Sequence, residues 1–207
     1  MYTLYARNTA GSMAPEALLA LCGVSYEVVV LERDADGSFA PFFHAINPRA
    51  EVPTLVLPDG SVMTESAAMM IHLADLHPEA GLSPPVGSPQ RARFLRWQIY
   101  LATTVYMSDL RLFYPHRYTV AGGEAAGIKA RAEETMAREF EIYAEALGEG
   151  PFILGERMSA ADVYAAMLVS WVPDMAALLA RHPVLGRMYD AVLANATVKK
   201  VWERNGA

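Results

Sequence analysis

Residues 81–90, Gly-Leu-Ser-Pro-Pro-Val-Gly-Ser-Pro-Gln, carry three prolines, two glycines and no charge. Proline removes an amide donor and glycine loses the most conformational freedom on ordering, so no regular element is expected to run through this stretch. The chain of 207 residues is thereby read as two parts with separate cores: residues 1–80, a linker at 81–90, and residues 91–207. The parts differ in period. Before the linker, residues 2–6 and 25–32 have β-branched and aromatic strand composition, with a helix at 14–22 between them closed by Gly23. A short helix near 39–45 follows. Then come a hairpin from Thr54-Leu55-Val56-Leu57 through Pro58-Asp59-Gly60 to Ser61-Val62-Met63, and a helix at 65–76. After the linker the pattern is helical throughout. Phe94, Trp97, Leu101, Val105, Ser108 and Leu112 step around one face, and Met136, Phe140, Tyr143 and Leu147 do so again. The expected class is an α/β domain followed by an all-α domain.

Composition removes several function classes. Hydrophobic residues make up 53% and charged residues 19%, a balance that folds rather than stays disordered. No stretch without Asp, Glu, Lys or Arg exceeds twelve residues, the length of the run from Trp97 to Ser108, short of the roughly 18 to 20 that a spanning helix needs. No membrane partner is expected. Lys and Arg total 17 against 23 Asp and Glu, a net charge of −6, which gives no field to attract nucleic acid. The start, Met1-Tyr2-Thr3-Leu4-Tyr5, has no basic region or long apolar segment of a secretion signal, and the single Cys22 permits no intramolecular disulfide. Both point to the cytoplasm. Cys22 lies in the apolar run Leu18-Leu19-Ala20-Leu21 and reads as packed. The five histidines show no metal spacing, so no metal is expected.

Three local motifs stand out. In Met158-Ser159-Ala160-Ala161-Asp162-Val163, Ser159 and Asp162 form a capping box and Met158 packs on Val163, starting a helix at 160–172. Asp162 is then a folding residue. In Val52-Pro53-Thr54, the proline opening a strand leaves its predecessor with unpaired backbone groups, able to take an extended peptide as an added strand; a cis bond at Pro53 would enforce this. Eleven residues after Thr54, Glu65-Ser66 opens a helix. Its free amides with Ser66 suit a carboxylate, and Glu65 suits an ammonium, so the pair fits the zwitterionic end of an amino acid.

A β-α-β-α-β-β-α domain with Val52-Pro53 before its third strand and Glu65-Ser66 at its last helix resembles the thioredoxin-like half of a cytosolic glutathione S-transferase. The linker, the helical second domain and the Ser159 to Asp162 box match that family in order and spacing. Trp97-Gln98-Ile99-Tyr100-Leu101-Ala102-Thr103 and Asn47-Pro48-Arg49-Ala50-Glu51-Val52-Pro53 look most like its bacterial beta class. The resemblance implies bound glutathione, with the γ-glutamyl end on Glu65 and Ser66, the cysteinyl backbone on Val52, and the glycine carboxylate near Arg49 and Glu51. Glu51 stands where Gln or Lys is frequent, so Arg49 or Arg7 must offset its charge. Ala50 replaces the usual glycine.

Only a thiolate attacks, and a free thiol titrates near pH 8.5, so the site needs a donor and a helix N-terminus at the sulfur. Ser12 aligns with the activating serine of theta-like and delta-like members, and Gly11 stands where the beta class has its cysteine. Tyr5 aligns with the activating tyrosine of other classes; Asn8, Thr9 and backbone amides are further candidates. The resemblance places the electrophile's pocket by Met13, Tyr106, Phe113 and Tyr114, with Tyr106 or Tyr114 as a proton donor, or with these aromatics as plain core. It implies a homodimeric transferase that joins glutathione to a small hydrophobic electrophile. A glutathione-dependent isomerase or dehalogenase, and a catalytically silent binding or scaffold protein, are the alternatives.

Overall fold

The structure, a computed structural model, describes residues 1–35, 37–120 and 122–207. Its contacts divide into two units, Met1–Ser83 with Leu193–Ala207, and Pro84–Val192. The first unit is built on strands β1 (Tyr2–Ala6), β2 (Tyr26–Val30), β3 (Thr54–Val56) and β4 (Val62–Met63), in the sheet order β2-β1-β3-β4. β1 pairs parallel with β2, Leu4 opposite Val28, and antiparallel with β3, Leu4 opposite Leu55. Tyr2, Leu4 and Ala6 of β1 are buried, and by the alternation of a strand Tyr5 points to the other face. There it joins a cluster of Leu31, Phe39 and Phe43 together with helix α2 (Pro41–Ile46). The hairpin between β3 and β4 closes as expected. Gly60 takes a φ of +86°, and the Asp59 carboxylate accepts from the amide and hydroxyl of Ser61.

Helix α1 (Met13–Leu21) packs on α3 (Ser66–Leu76) and on α10 (Ala196–Asn205), the last helix of the chain. By its contacts α10 groups with the first unit, although it follows the linker in the chain. The physical reason is a buried charge. Glu16 in α1 is almost wholly enclosed, and its carboxylate pairs with the Arg204 guanidinium and accepts from Asn205 Nδ2 at 3.2 Å. A carboxylate withdrawn from water must be paired, and α10 supplies both partners.

The second unit holds α4 (Pro89–Tyr100), α5 (Tyr106–Phe113), α6 (Ala125–Leu147), α7 (Ala160–Ser170), α8 (Met175–Arg181) and nearly all of α9 (Pro183–Leu193). α4 and α5 are joined by one wide π turn at Leu101–Val105, which the sequence periodicity does not signal. The expected apolar face survives it, since Phe94, Trp97, Leu101, Val105, Ser108 and Leu112 are all buried. Trp97 meets Tyr100 and Tyr143 edge-on, with ring centres 5.2 and 5.4 Å apart. α7 is buried along residues 160–169, and its capping box is present. Asp162 accepts from the Ser159 amide at 2.8 Å, the Ser159 hydroxyl at 2.7 Å and the Ile153 amide at 2.7 Å. Among the described residues no helix is long and apolar enough to cross a membrane.

Replacing Arg204 by Met leaves Glu16 buried without its counter-charge and is expected to cost about 2–4 kcal/mol. The double replacement Glu16→Leu with Arg204→Met should recover part of that loss; equal urea midpoints for wild type and Arg204→Met would show that the pair carries no stability. Asp109 in α5 tests a second buried charge. Burial pushes its carboxyl up to about 7, and its Oδ1 has no partner among the described residues. The folded chain therefore keeps a proton there that the unfolded chain releases near pH 4. Stability should fall as pH rises from about 4 to about 7 and level off above. Asp109→Asn should flatten that slope and stabilise the protein above pH 7 by up to about 4 kcal/mol. Identical pH slopes for the two proteins would exclude Asp109 as the group.

Candidate functional site

The loop between α2 and β3 is held from inside by Asn47. Its carboxamide Nδ2 donates to the Glu51 carbonyl at 3.0 Å and to Thr54 Oγ1 at 2.9 Å, while its Oδ1 accepts from the Arg49 amide at 3.1 Å. The Thr54 hydroxyl donates in turn to the Glu51 carbonyl at 2.8 Å. Both residues are buried. The Val52 side chain packs on the Leu31, Phe39 and Phe43 cluster, yet its own amide and carbonyl make no hydrogen bond among the described residues. The Val52-Pro53 peptide is cis. An unpaired stretch of backbone thus stands beside β3. At its rim Arg49 and Glu51 form an exposed ion pair at 2.8 Å, so the acidic residue expected to need compensation has it in Arg49.

Glu65 and Ser66 sit where the sequence puts them, with one difference. Helix α3 begins at Ser66, and Glu65 stands outside it at φ +66° and ψ +99°. Its exposed carboxylate makes no hydrogen bond or ion pair among the described residues, although its charge acts on Arg49. Ser66 is buried at the first turn, where the α3 amides have no intrahelical acceptors. Glu65 is one of three non-glycine residues with positive φ among the described residues; the others are Thr9 at +50° and Ala50 at +49°. All three fall in the loops of this candidate site. Such conformations cost on the order of 1–3 kcal/mol each and cluster at ligand clamps.

The loop from β1 into α1 departs from expectation. Ser12 is fully buried, and its hydroxyl donates to the Arg7 carbonyl at 2.9 Å while accepting from the Arg7 amide at 3.3 Å. It staples the end of β1 to the start of α1, and its proton is committed. Tyr5 is turned onto α2, its ring 5.4 Å from Phe43 and 6.5 Å from Phe42, because strand alternation sends it to that face. The Thr9 hydroxyl donates to the Asn8 carbonyl at 2.8 Å. The Asn8 carboxamide is exposed and uncommitted among the described residues; the amides of Gly11 and Ser12, at the end of the loop, make no backbone hydrogen bond there but are buried. Cys22 is half-buried, and burial pushes its thiol up to about 11, so it is not a nucleophile.

Of the expected pocket residues, Met13 is fully buried in the first unit. Tyr106 packs in the helical unit against Trp171 and Tyr164, at 5.4 and 6.3 Å. Phe113 is exposed, and Tyr114 is half-buried under the Arg117 guanidinium at 4.1 Å. Met13 is thus part of the core, while Tyr106 is half-buried among the rings of the helical unit. Sequence reasoning passed over Asn47 and Thr54, whose only signal is a carboxamide and a hydroxyl seven residues apart around an unpaired turn.

Comparison with known proteins assigns the family. The family profile "Glutathione S-transferase, N-terminal domain" matches residues 12–76, and "Glutathione S-transferase, C-terminal domain" matches residues 113–205. The chain belongs to the glutathione S-transferase family. Glutathione S-transferase GstA of Escherichia coli O157:H7 is 31% identical over 62% of this chain and 61% of its own. The uncharacterised GST-like protein YncG of Escherichia coli K12 is 28% identical over 94% of each chain. A glutathione transferase homologue from Sulfitobacter, solved with bound glutathione, superposes with a TM-score of 0.89 at 27% identity, over 99% of this chain and 98% of the other.

Ala50 stands at a left-handed position where glycine carries no penalty. Ala50→Gly should stabilise this family member by about 0.5–1 kcal/mol, relief of strain exceeding the added unfolded-state entropy. A fall in the urea midpoint would instead show that the packing of the Ala50 methyl outweighs the strain.

Proposed function

We propose that this protein is a glutathione transferase that joins the glutathione thiolate to a small hydrophobic electrophile. The observation that carries the reading is the unpaired backbone of Val52, set in a unit where Glu65 and Ser66 offer a free carboxylate and a helix N-terminus. A tripeptide with a zwitterionic end and an extended middle fits those groups. The γ-glutamyl ammonium goes to Glu65, its carboxylate to Ser66 and the α3 amides, and the cysteinyl backbone to Val52. The glycine end lies by Arg49 and Glu51. Bound glutathione in the Sulfitobacter homologue supports the ligand class.

In this reading the thiol gives its proton to solvent and the thiolate rests by the N-terminus of α1, held by the Asn8 carboxamide and the positive end of that helix. Ser12 shapes that turn through Arg7. The sulfur lone pair then forms the bond to carbon. In a substitution the leaving group departs with its electron pair; in an addition the adjacent carbon takes a proton from water. A cytoplasmic homodimer with a detoxifying role completes the proposal. Isomerisation or dehalogenation uses the same half-site with another electrophile. The commitment of Ser12 favours one further reading, a protein that binds glutathione without turning it over.

Retention on immobilised glutathione and turnover of a chromogenic aryl halide are the expected results, and loss of both would defeat the proposal. Ultraviolet titration of the bound thiol should show a pKa below 8.5 that rises in Asn8→Ala. An unshifted thiol in wild type would favour binding without catalysis, and a depression lost only in Ser12→Ala would return the activating role to Ser12.

A further inference from the structure

We propose that Asn47 and Thr54 are the positioning pair of the glutathione site, a role that rests on the reading of Val52 as the edge for the cysteinyl backbone. The Glu51 carbonyl receives two donors, Asn47 Nδ2 at 3.0 Å and the Thr54 hydroxyl at 2.8 Å. A carbonyl oxygen has two lone pairs, so this acceptor is saturated by groups that are themselves buried. It is thereby drawn toward the protein interior. The peptide unit from Glu51 to Val52 is planar and trans, the cis bond lying one residue later. In a trans unit the C=O and N–H point in opposite directions. Holding the Glu51 carbonyl inward therefore turns the Val52 N–H outward, toward an incoming strand.

The proton directions leave little freedom. Thr54 has one hydroxyl proton, donated to Glu51, and its oxygen accepts from Asn47. Asn47 spends both Nδ2 protons, on Glu51 and Thr54, and its Oδ1 takes the Arg49 amide. Its backbone ties the same hub to neighbouring turns: its amide donates to the Phe43 carbonyl in α2, and its carbonyl accepts from the Ala50 amide, each at 2.8 Å. Thr54 is anchored independently, because β3 pairs it with Tyr5 of β1. The aim of Val52 is thus referred to the central strand of the sheet. Neither Asn47 nor Thr54 needs to touch the ligand.

The test compares near-isosteric variants of the full chain by calorimetric titration with glutathione. Thr54→Val removes the hydroxyl at constant volume and should raise Kd about tenfold, the equivalent of one buried hydrogen bond. Glutathione-dependent kcat at saturation should stay within about twofold, the mark of lost ground-state positioning. Thr54→Ser keeps the hydroxyl and should bind within about threefold of wild type. Asn47→Asp, which cannot donate, should weaken binding at least as much as Thr54→Val. Exchange of the Val52 amide hydrogen should slow on adding glutathione to wild type, a readout that needs no variant to fold. Wild-type binding with an unprotected Val52 amide would overturn the inference, as would a Thr54→Val variant that binds normally or a Thr54→Ser variant as weak as Thr54→Val. No glutathione binding by wild type would overturn the proposed function itself, and this inference with it.

Discussion

The buried carboxamide of Asn47 decides which backbone groups of the loop before β3 are spent on the protein and which are left over. A buried polar group must find partners, and a loop with no helix or sheet ladder of its own must find them in side chains. Asn47 meets that demand from below. Arg49 and Glu51 are then tied through their backbones while Val52 is not, and the apolar Val52 side chain rests on the Leu31, Phe39 and Phe43 cluster. The loop is rigid on one side and unsatisfied on the other, which is the condition for an edge that can accept an added strand without first rearranging.

Backbone strain falls in the same places. Thr9, Ala50 and Glu65 hold left-handed conformations, and each stands in a loop bordering the candidate site. Nothing local favours these conformations for residues with a Cβ. They persist because the surrounding sheet and helices over-determine the path. Glu65 is the clearest case. Its placement ahead of α3, rather than inside it, leaves its carboxylate clear of the helix.

Elsewhere charge burial organises the fold. Asp162 is held by three donors at the start of α7; burial still pushes it up to about 6, against the pull of those hydrogen bonds toward the ionised form. Its bonding is local, within ten residues. Glu16 solves the same problem at long range, through Arg204 and Asn205, and so recruits the end of the chain to its beginning. In α6, Glu139 accepts from Ser108 of α5 at 3.0 Å. Burial raises its carboxyl while that bond and the Arg111 charge lower it.

The local part of this protein was legible in its sequence because its causes are local. Alternation located β1, helical spacing located the buried faces of α4 to α6, Asp59-Gly60 located the hairpin, and the Ser159 to Asp162 spacing located the cap. Val52-Pro53 and Glu65-Ser66 were likewise visible, since a proline at a strand start and an acidic residue at a helix start act on their immediate neighbours. Tertiary structure alone decided the rest. Ser12, which the resemblance offers as an activating serine, has its hydroxyl bound to Arg7, because only the packed turn brings them together. Tyr5 turns to α2 by the register of the sheet, and residues 193–207 join the first unit through a pair 188 residues apart in the chain, Glu16 with Arg204. Hydrogen bonds and charge pairs depend on distance in space, and a linear pattern records that distance only where the backbone itself imposes it.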